Sequence, residues 1–266
     1  MADSANFELV SFDRPPVEEI AFAVQLVEPV LSIEDIVGAG ACFSADFPVH
    51  QLQPPLPRMF APAAVPSFSI STIGVQVPRF WFVSSDGLKL IQLQEDRIAF
   101  NWRRLGTDAV YPRYAVLRQE FESVLAQVAQ AVGFDLGTLQ SDLCELTYVN
   151  ELEHGADSSL DAALTTVSPL SDADFLPPPD EARWTGQWTI TQATGPAGRM
   201  TVAAQPAVRD RDQRPINLLS MACTLPGEVV GLGEVLSRMD VAHEWIVKGF
   251  ADLTTAEMHE TWSRTK

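Results

Sequence analysis

The residues able to do chemistry in this chain are few and badly spaced for it. There are four histidines, His50, His154, His243 and His259. Two are followed by glutamate, in His243-Glu244 and His259-Glu260. A zinc-binding helix needs two imidazoles one turn apart, as in His-Glu-x-x-His, and that pattern is absent. His243 and His259 fall on separate expected helices, so only the fold could join them. The three cysteines, Cys42, Cys144 and Cys223, form no Cys-x-x-Cys pair. Each has apolar neighbours, which points to reduced core thiols, and Cys144 precedes Glu145 with no histidine nearby. No Gly-x-Ser-x-Gly elbow and no glycine-rich phosphate loop occurs; Gly231-x-Gly233 reads as the start of a helix. Asp172, Asp174, Asp180 and Glu181 flank Pro177-Pro178-Pro179 and read as a solvated acidic loop. The expectation is no catalytic residue, no metal and no cofactor.

Polar side chains inside strongly patterned strands are the better candidates. In Arg97–Arg103, strand alternation sends Ile98, Phe100 and Trp102 to one face and Arg97, Asn101 and Arg103 to the other. Tyr111 and Arg113 follow after a short loop. Tyr148 and Asn150 alternate with Thr147 and Val149 in a later strand. Arg97, Asn101, Arg103, Tyr111 and Arg113, with Tyr148 and Asn150 as weaker members, are the expected ligand- or partner-binding residues. Arginines on a sheet offer a rigid fork for a carboxylate or phosphate. Carboxylates such as Glu95 or Glu145 could instead satisfy them internally. The tryptophans at 184 and 188 share a strand face, and Met258 and Trp262 a helix face, as core or interface residues would.

The elements that must position these residues follow from period and punctuation. Val17–Val27 alternates as a strand, opened by Arg14-Pro15-Pro16. Ser32 is a plausible N-cap for a helix to about Ala45, weakened by Gly38 and Gly40. The prolines of Leu52–Pro66 exclude helix and central strand and indicate a surface crossing or loop. Arg79–Val83, Leu88–Gln94 and Arg97–Arg103 form a meander turned at Asp86-Gly87 and Glu95-Asp96. Tyr111–Val132 carries an apolar helical stripe stopped by Gly133. The second half repeats the order: a strand at Leu143–Leu152, a short helix at Ser159–Leu164, strands at Arg183–Gln192, Arg199–Val208 and Pro215–Thr224, and a helix at Leu232–Phe250. A last helix, Asp252–Ser263, is opened by a Thr254-x-x-Glu257 capping box. The fold class is α+β, antiparallel sheet with helices on one face, in two β-α-β-β-β-α halves, 1–137 and 138–266, joined into one body with a curved sheet or, alternatively, set as two side-by-side lobes. Glu19-Ile20-Ala21-Phe22-Ala23 is echoed by Glu145-Leu146-Thr147-Tyr148-Val149.

Several phrases carry a resemblance: Arg14-Pro15-Pro16-Val17-Glu18-Glu19, Arg79-Phe80-Trp81-Phe82-Val83, Phe100-Asn101-Trp102-Arg103, Tyr111-Pro112-Arg113-Tyr114, Glu145 to Asn150, Ala242-His243-Glu244-Trp245 and Met258-His259-Glu260-x-Trp262. Over nearly its whole length the chain resembles a sporadically distributed family of uncharacterised bacterial and archaeal proteins. The resemblance implies a prokaryotic cytosolic protein. The family's patchy distribution suggests mobile or defence-linked genes.

Composition narrows the function classes. Of 266 residues, 46% are hydrophobic and 20% charged, enough apolar mass for a core. The formal net charge of -17 repels phosphate backbones and suits a basic partner. No apolar run is long enough to span a membrane, and the first residues lack the basic and apolar regions of a secretory signal. The expected protein is cytoplasmic, with another protein, basic in character, as its partner. It binds no nucleic acid or membrane, and a homo-oligomer is compatible. Its expected role is binding or regulation, in a toxin-neutralising or defence-associated setting. The competing class is a small-ligand binder or enzyme using a polar cleft between the halves.

Overall fold

Alternation of apolar residues along the strands and a three-to-four-residue period along the helices give this chain two apolar surfaces to bury against each other. The computed structural model describes residues 9–59, 77–106, 109–153, 160–167, 181–209 and 212–266. In chain order the elements are β1 (Val17–Leu26), α1 (Ile33–Phe43), β2 (Val49–Gln53), β3 (Arg79–Val83), β4 (Lys89–Gln94), β5 (Arg97–Arg103), α2 (Tyr114–Val132), β6 (Gln140–Leu152), α3 (Leu160–Ala163), β7 (Trp184–Gln192), β8 (Gly195–Val208), β9 (Pro215–Val230), α4 (Leu232–Leu253) and α5 (Ala256–Thr261). A 3-10 turn, Leu136–Thr138, precedes β6. The nine strands form one antiparallel sheet in the order β2-β3-β4-β5-β1-β6-β9-β8-β7. The protein is therefore α+β. No helix among the described residues is long and apolar enough to cross a membrane.

The chain packs as two units. One comprises Met1–Glu19, Thr147–Cys223 and Val241–Lys266; the other comprises Ile20–Leu146 and Thr224–Asp240. In the second of these, Phe82, Ile91 and Phe100 lie in register across β3, β4 and β5 and are 2%, 0% and 1% exposed, which marks the core face. Helix α1 reaches this face through Gly40: a Cβ there would stand 2.4 Å from Phe82 Cε1, so only glycine allows the approach. The Ser32 hydroxyl accepts the Asp35 N–H and the Asp35 carboxylate accepts the Ser32 N–H, a reciprocal cap that fixes where α1 begins. Helix α2 lays Leu117, Phe121, Val124, Leu125 and Val128 on the same face, and Phe121 stacks on Phe22 of β1 at 5.2 Å. It stops at Gly133, whose φ of +81° suits a residue without Cβ.

In the other unit, Gly249 of α4 approaches Met200 of β8 and Met221 of β9, so α4 covers their face. Phe12, Phe250 and Trp262 form an aromatic cluster with centroid separations of 5.0–5.9 Å.

Several sequence expectations are corrected. Helix α2 starts at Tyr114 rather than Tyr111, because Pro112 disfavours helical geometry before it and Arg113 has φ 80°. An unexpected strand, β2, runs into the proline-rich stretch as far as Gln53, and residues 60–66 of that stretch lie outside the described residues. The Thr254-Glu257 capping box does not form: α5 begins after Thr255, and the Thr254 hydroxyl donates back to the Phe250 carbonyl at 2.7 Å. Cys144 and Cys223 are buried, but Cys42 is exposed on the outer face of α1. Pro177–Pro179, Asp172, Asp174, Asp180 and His154 lie outside the described residues.

Candidate functional site

Opposite the core face of β3, β4 and β5 the same strands present a polar face, because every second side chain points there. Register places Trp81 opposite Gln92, Gln92 opposite Ala99, Gln94 opposite Arg97 and Leu90 opposite Asn101. Gln92 joins them: its carbonyl oxygen accepts from Arg79 Nη1 at 3.0 Å and Trp81 Nε1 at 2.9 Å, and its amide donates to Asn101 Oδ1 at 2.7 Å. The Arg79 guanidinium lies 5.3 Å from the Trp81 ring centroid.

A strap formed by residues 54–59 crosses this face, and side-chain amides hold its backbone as a neighbouring strand would. Gln94 accepts the Leu56 N–H at 2.8 Å and donates to the Leu56 carbonyl at 2.9 Å. Gln25 of β1 does the same for Met59, at 2.7 Å and 3.0 Å. Arg97 donates to the Pro57 carbonyl at 3.1 Å and to Gln25 Oε1 at 3.2 Å. The Arg58 side chain turns into a socket of acceptors: the Leu26 and Val27 carbonyls, each at 2.8 Å, and the carboxylates of Asp142 and Asp96. A cleft of about 440 Å³ lies beside the strap, lined by Pro29, Pro55, Pro57, Arg58, Glu95 and Asp96 among others.

The electrostatics of the polar face are unbalanced. Burial lowers the pKa of Arg97, with Asp96 and Glu145 opposing that shift. Burial also lowers that of Arg79, and the positive charge of Arg97 adds to it. The Glu145 carboxyl is pushed up by burial, and Arg97 draws it back. The Nε–H groups of Arg79 and Arg97 are buried without a hydrogen-bond acceptor among the described residues.

The expected site residues do not gather in one place. Arg97 and Asn101 share the polar face with Arg79 and Gln92, which the sequence reading passed over. Arg103 is on the same face but six residues along the strand from Arg97, about 20 Å away, and its Nε donates to the Gly87 carbonyl at 3.0 Å. Tyr111 is buried and packs against Trp102 with ring centroids 5.5 Å apart and planes tilted by 53°, on the core face. Arg113 is exposed at the start of α2. Tyr148 and Asn150 belong to the other unit: the Tyr148 hydroxyl is 3.0 Å from His243 Nδ1, and the Asn150 amide donates to the Leu219 carbonyl at 3.3 Å. His259 Nε2 is 2.8 Å from the Thr254 hydroxyl. No group of three or more His, Cys, Asp or Glu side chains among the described residues is arranged to hold a metal ion. Gln25, Gln94 and Arg58 had one signal in the sequence, a run of prolines ending beside an arginine.

A second surface stands out at the edge of the sheet. Strand β2 pairs with β3 over five regular positions and has no strand on its other side among the described residues. Beside it, Val37, Gly40 and Ala41 of α1 with His50, Leu52, Phe80 and Phe82 line a groove of about 330 Å³. Of the eleven exposed large hydrophobic residues among those described, six lie between Val30 and Leu56: Val30, Ile33, Val37, Val49, Leu52 and Leu56. From Ile33 to Gln53, across α1 and β2, the chain has no lysine or arginine but three carboxylates, Glu34, Asp35 and Asp46. No protein-family model, curated protein or solved structure matches the chain.

Proposed function

We propose that this is a binding protein whose partner is another protein, and that the partner docks on β2 and α1 as an extended, basic segment adding a strand to the sheet. The observation that carries this reading is an edge with no strand on its outer side among the described residues. Natural edge strands are guarded by proline, lysine, bulges or a covering element. Val49–Gln53 contains no proline or lysine, its register with β3 is regular, and Val49 and Leu52 are 45% and 65% exposed. An added strand would satisfy the outer N–H and C=O groups, and the groove beside Phe80 and Phe82 would take its apolar side chains. The carboxylates of this stretch select a partner with lysine or arginine flanks. The setting implied by the family resemblance, defence-linked or toxin-neutralising, is where such a partner would be sought.

A peptide-display selection on the purified protein tests this. The expected winners alternate apolar residues between basic flanks and protect the β2 amides from hydrogen exchange. They lose binding to a Val37→Glu, Leu52→Lys double variant whose melting temperature is unchanged. Winners without basic bias, or winners that bind the variant equally well, would overturn the reading.

We further infer that the fold is a duplicated β-α-β-β-β-α unit. Outward from the centre the strand order is β1-β5-β4-β3-β2 on one side and β6-β9-β8-β7 on the other; with β2 set aside as an extra edge strand of the first half, the order is the same in each repeat's own count. The echoed residues Phe22 and Tyr148 each meet the long helix that ends their half, at Phe121 and His243 respectively. Superposition of the four matched strand pairs tests this; a fit no better than shuffled pairings removes it.

A further inference from the structure

We propose that Arg79 and Arg97 together bind an oxyanion, the carboxylate of an organic acid or a phosphate group, on the polar face beside the strap. Gln94 opposes Arg97 in the register of β4 and β5, and the same antiparallel register continued one pair beyond Phe80–Leu93 sets Arg79 beside Gln94. The two arginines thus occupy one row, two strand spacings or about 9.5 Å apart at the backbone. Both side chains rise from the same face of the sheet, and an arginine side chain is long enough to cover half that span.

Three observations point to an anion site. First, Arg97 is 7% exposed, yet its Nε–H has no acceptor among the described residues, and the same is true of the Arg79 Nε–H. Second, neither guanidinium has a carboxylate within ion-pair distance among the described residues, whereas Arg209, whose Nε–H is also buried without an acceptor among them, sits among Glu151, Glu153 and Asp212. Nearby acids are committed elsewhere: Asp96 accepts from Arg58 and Gln94, and burial favours the neutral form of Glu145. The intervening sequence 60–76 contains no aspartate or glutamate. Third, the two cations repel each other in a desolvated setting, which an anion shared between them would relieve. Planar guanidinium forks, with Gln92 and Asn101 adjoining, match the geometry of a carboxylate or phosphate.

Arginine labelled at Nε gives the direct test. Sodium phosphate and sodium acetate are titrated into the protein against sodium chloride at matched ionic strength, with the Nε–H resonances of Arg79 and Arg97 and the binding heat as readouts. The expected result is saturable movement of both resonances by at least one oxyanion. A response to phosphate alone assigns a phosphate-bearing ligand, and a response to acetate assigns a carboxylate. Arg79→Gln, which removes no contact to the strap, should weaken the apparent affinity by about tenfold or more, with Arg79→Lys intermediate. Resonances that follow chloride equally, or an Arg79→Gln variant that binds as the native protein does, would overturn the proposal.

Discussion

Burial decides the behaviour of single residues here more often than chemical type does. Cys144 shows this. Its thiol is fully buried, and burial pushes its pKa from 9.0 up to about 11, a nearby Ser141 hydroxyl pulling slightly the other way. A thiol that resists ionisation in the folded state stays neutral where the unfolded chain would release its proton. The stability this provides is fully present below 9.0 and lost as pH rises through about 11. Denaturant melts at stepped pH should therefore show a decline over that window, and Cys144→Ala should flatten it, whatever packing it costs at neutral pH. At pH 8 a thiol reagent should label Cys42, which is exposed, and leave Cys144 and Cys223 untouched until the protein unfolds. Arg97, Glu145 and the Arg58 socket follow the same logic: each is charged or polar, and what surrounds it sets its role.

At the scale of elements, α1 separates two glycines that a sequence reading treats alike. Gly38 has nothing within 4 Å of a Cβ, whereas a Cβ on Gly40 would meet the Phe82 ring at 2.4 Å and 2.8 Å. Replacing glycine by alanine inside a helix gains about 0.8–1 kcal/mol when no contact intervenes. Overpacking a buried contact costs about 1–3 kcal/mol. Gly38→Ala should therefore stabilise the protein, and Gly40→Ala should destabilise it by about 1 kcal/mol or more once the two terms are combined. Urea midpoints of the two variants check the opposite signs; two shifts of the same sign would mean that α1 does not sit this close to β3. Strand β7 uses glycine in a related way: Trp184 and Trp188 lie over Gly186, where a Cβ would come within 2.5 Å and 2.7 Å of their rings. Two large rings thereby cover backbone at the sheet's other edge.

For the whole molecule the dominant quantity is the net charge of -17. Like charges at this density oppose folding and are screened by salt, while ion pairs such as Arg209 with Glu151 and Glu153 are weakened by it. Self-repulsion involves the whole surface and the ion pairs only a few sites, so the first effect should win. Raising sodium chloride from about 10 mM to about 0.5 M should lift the melting temperature by about 2–4 °C, equivalent to about 1 kcal/mol in a chain of this size. A falling melting temperature would show that the local networks carry more stability than the repulsion removes. The same experiment bears on partner binding, since a basic segment held at the acidic α1–β2 surface should dissociate as salt rises.

The amino-acid sequence by itself determined the elements with strong period: β3, β4 and β5 with their turns, the stripe of α2 and its stop at Gly133, the start of α4 at Leu232, and the face shared by Arg97 and Asn101. These depend on local alternation, helical spacing and turn chemistry, all readable within a short window. Tertiary structure alone decided the rest. Strand β2 has both faces exposed, so it carries no hydrophobic period to read. The strap is held by Gln25, Gln94 and Arg97, which are distant from it along the chain, and Arg58 finds its acceptors in Leu26, Val27, Asp96 and Asp142. The separation of Arg103 from Arg97 follows from the rise of a strand, but the placement of Tyr111 against Trp102, and of Tyr148 against His243, depends on which helix covers which face. Thr254 met the spacing of a capping box, yet its hydroxyl bonds to Phe250, because α4 runs on to Leu253 and offers it a carbonyl first. Long-range pairing is a competition among many possible partners, and only the folded chain shows which partners won.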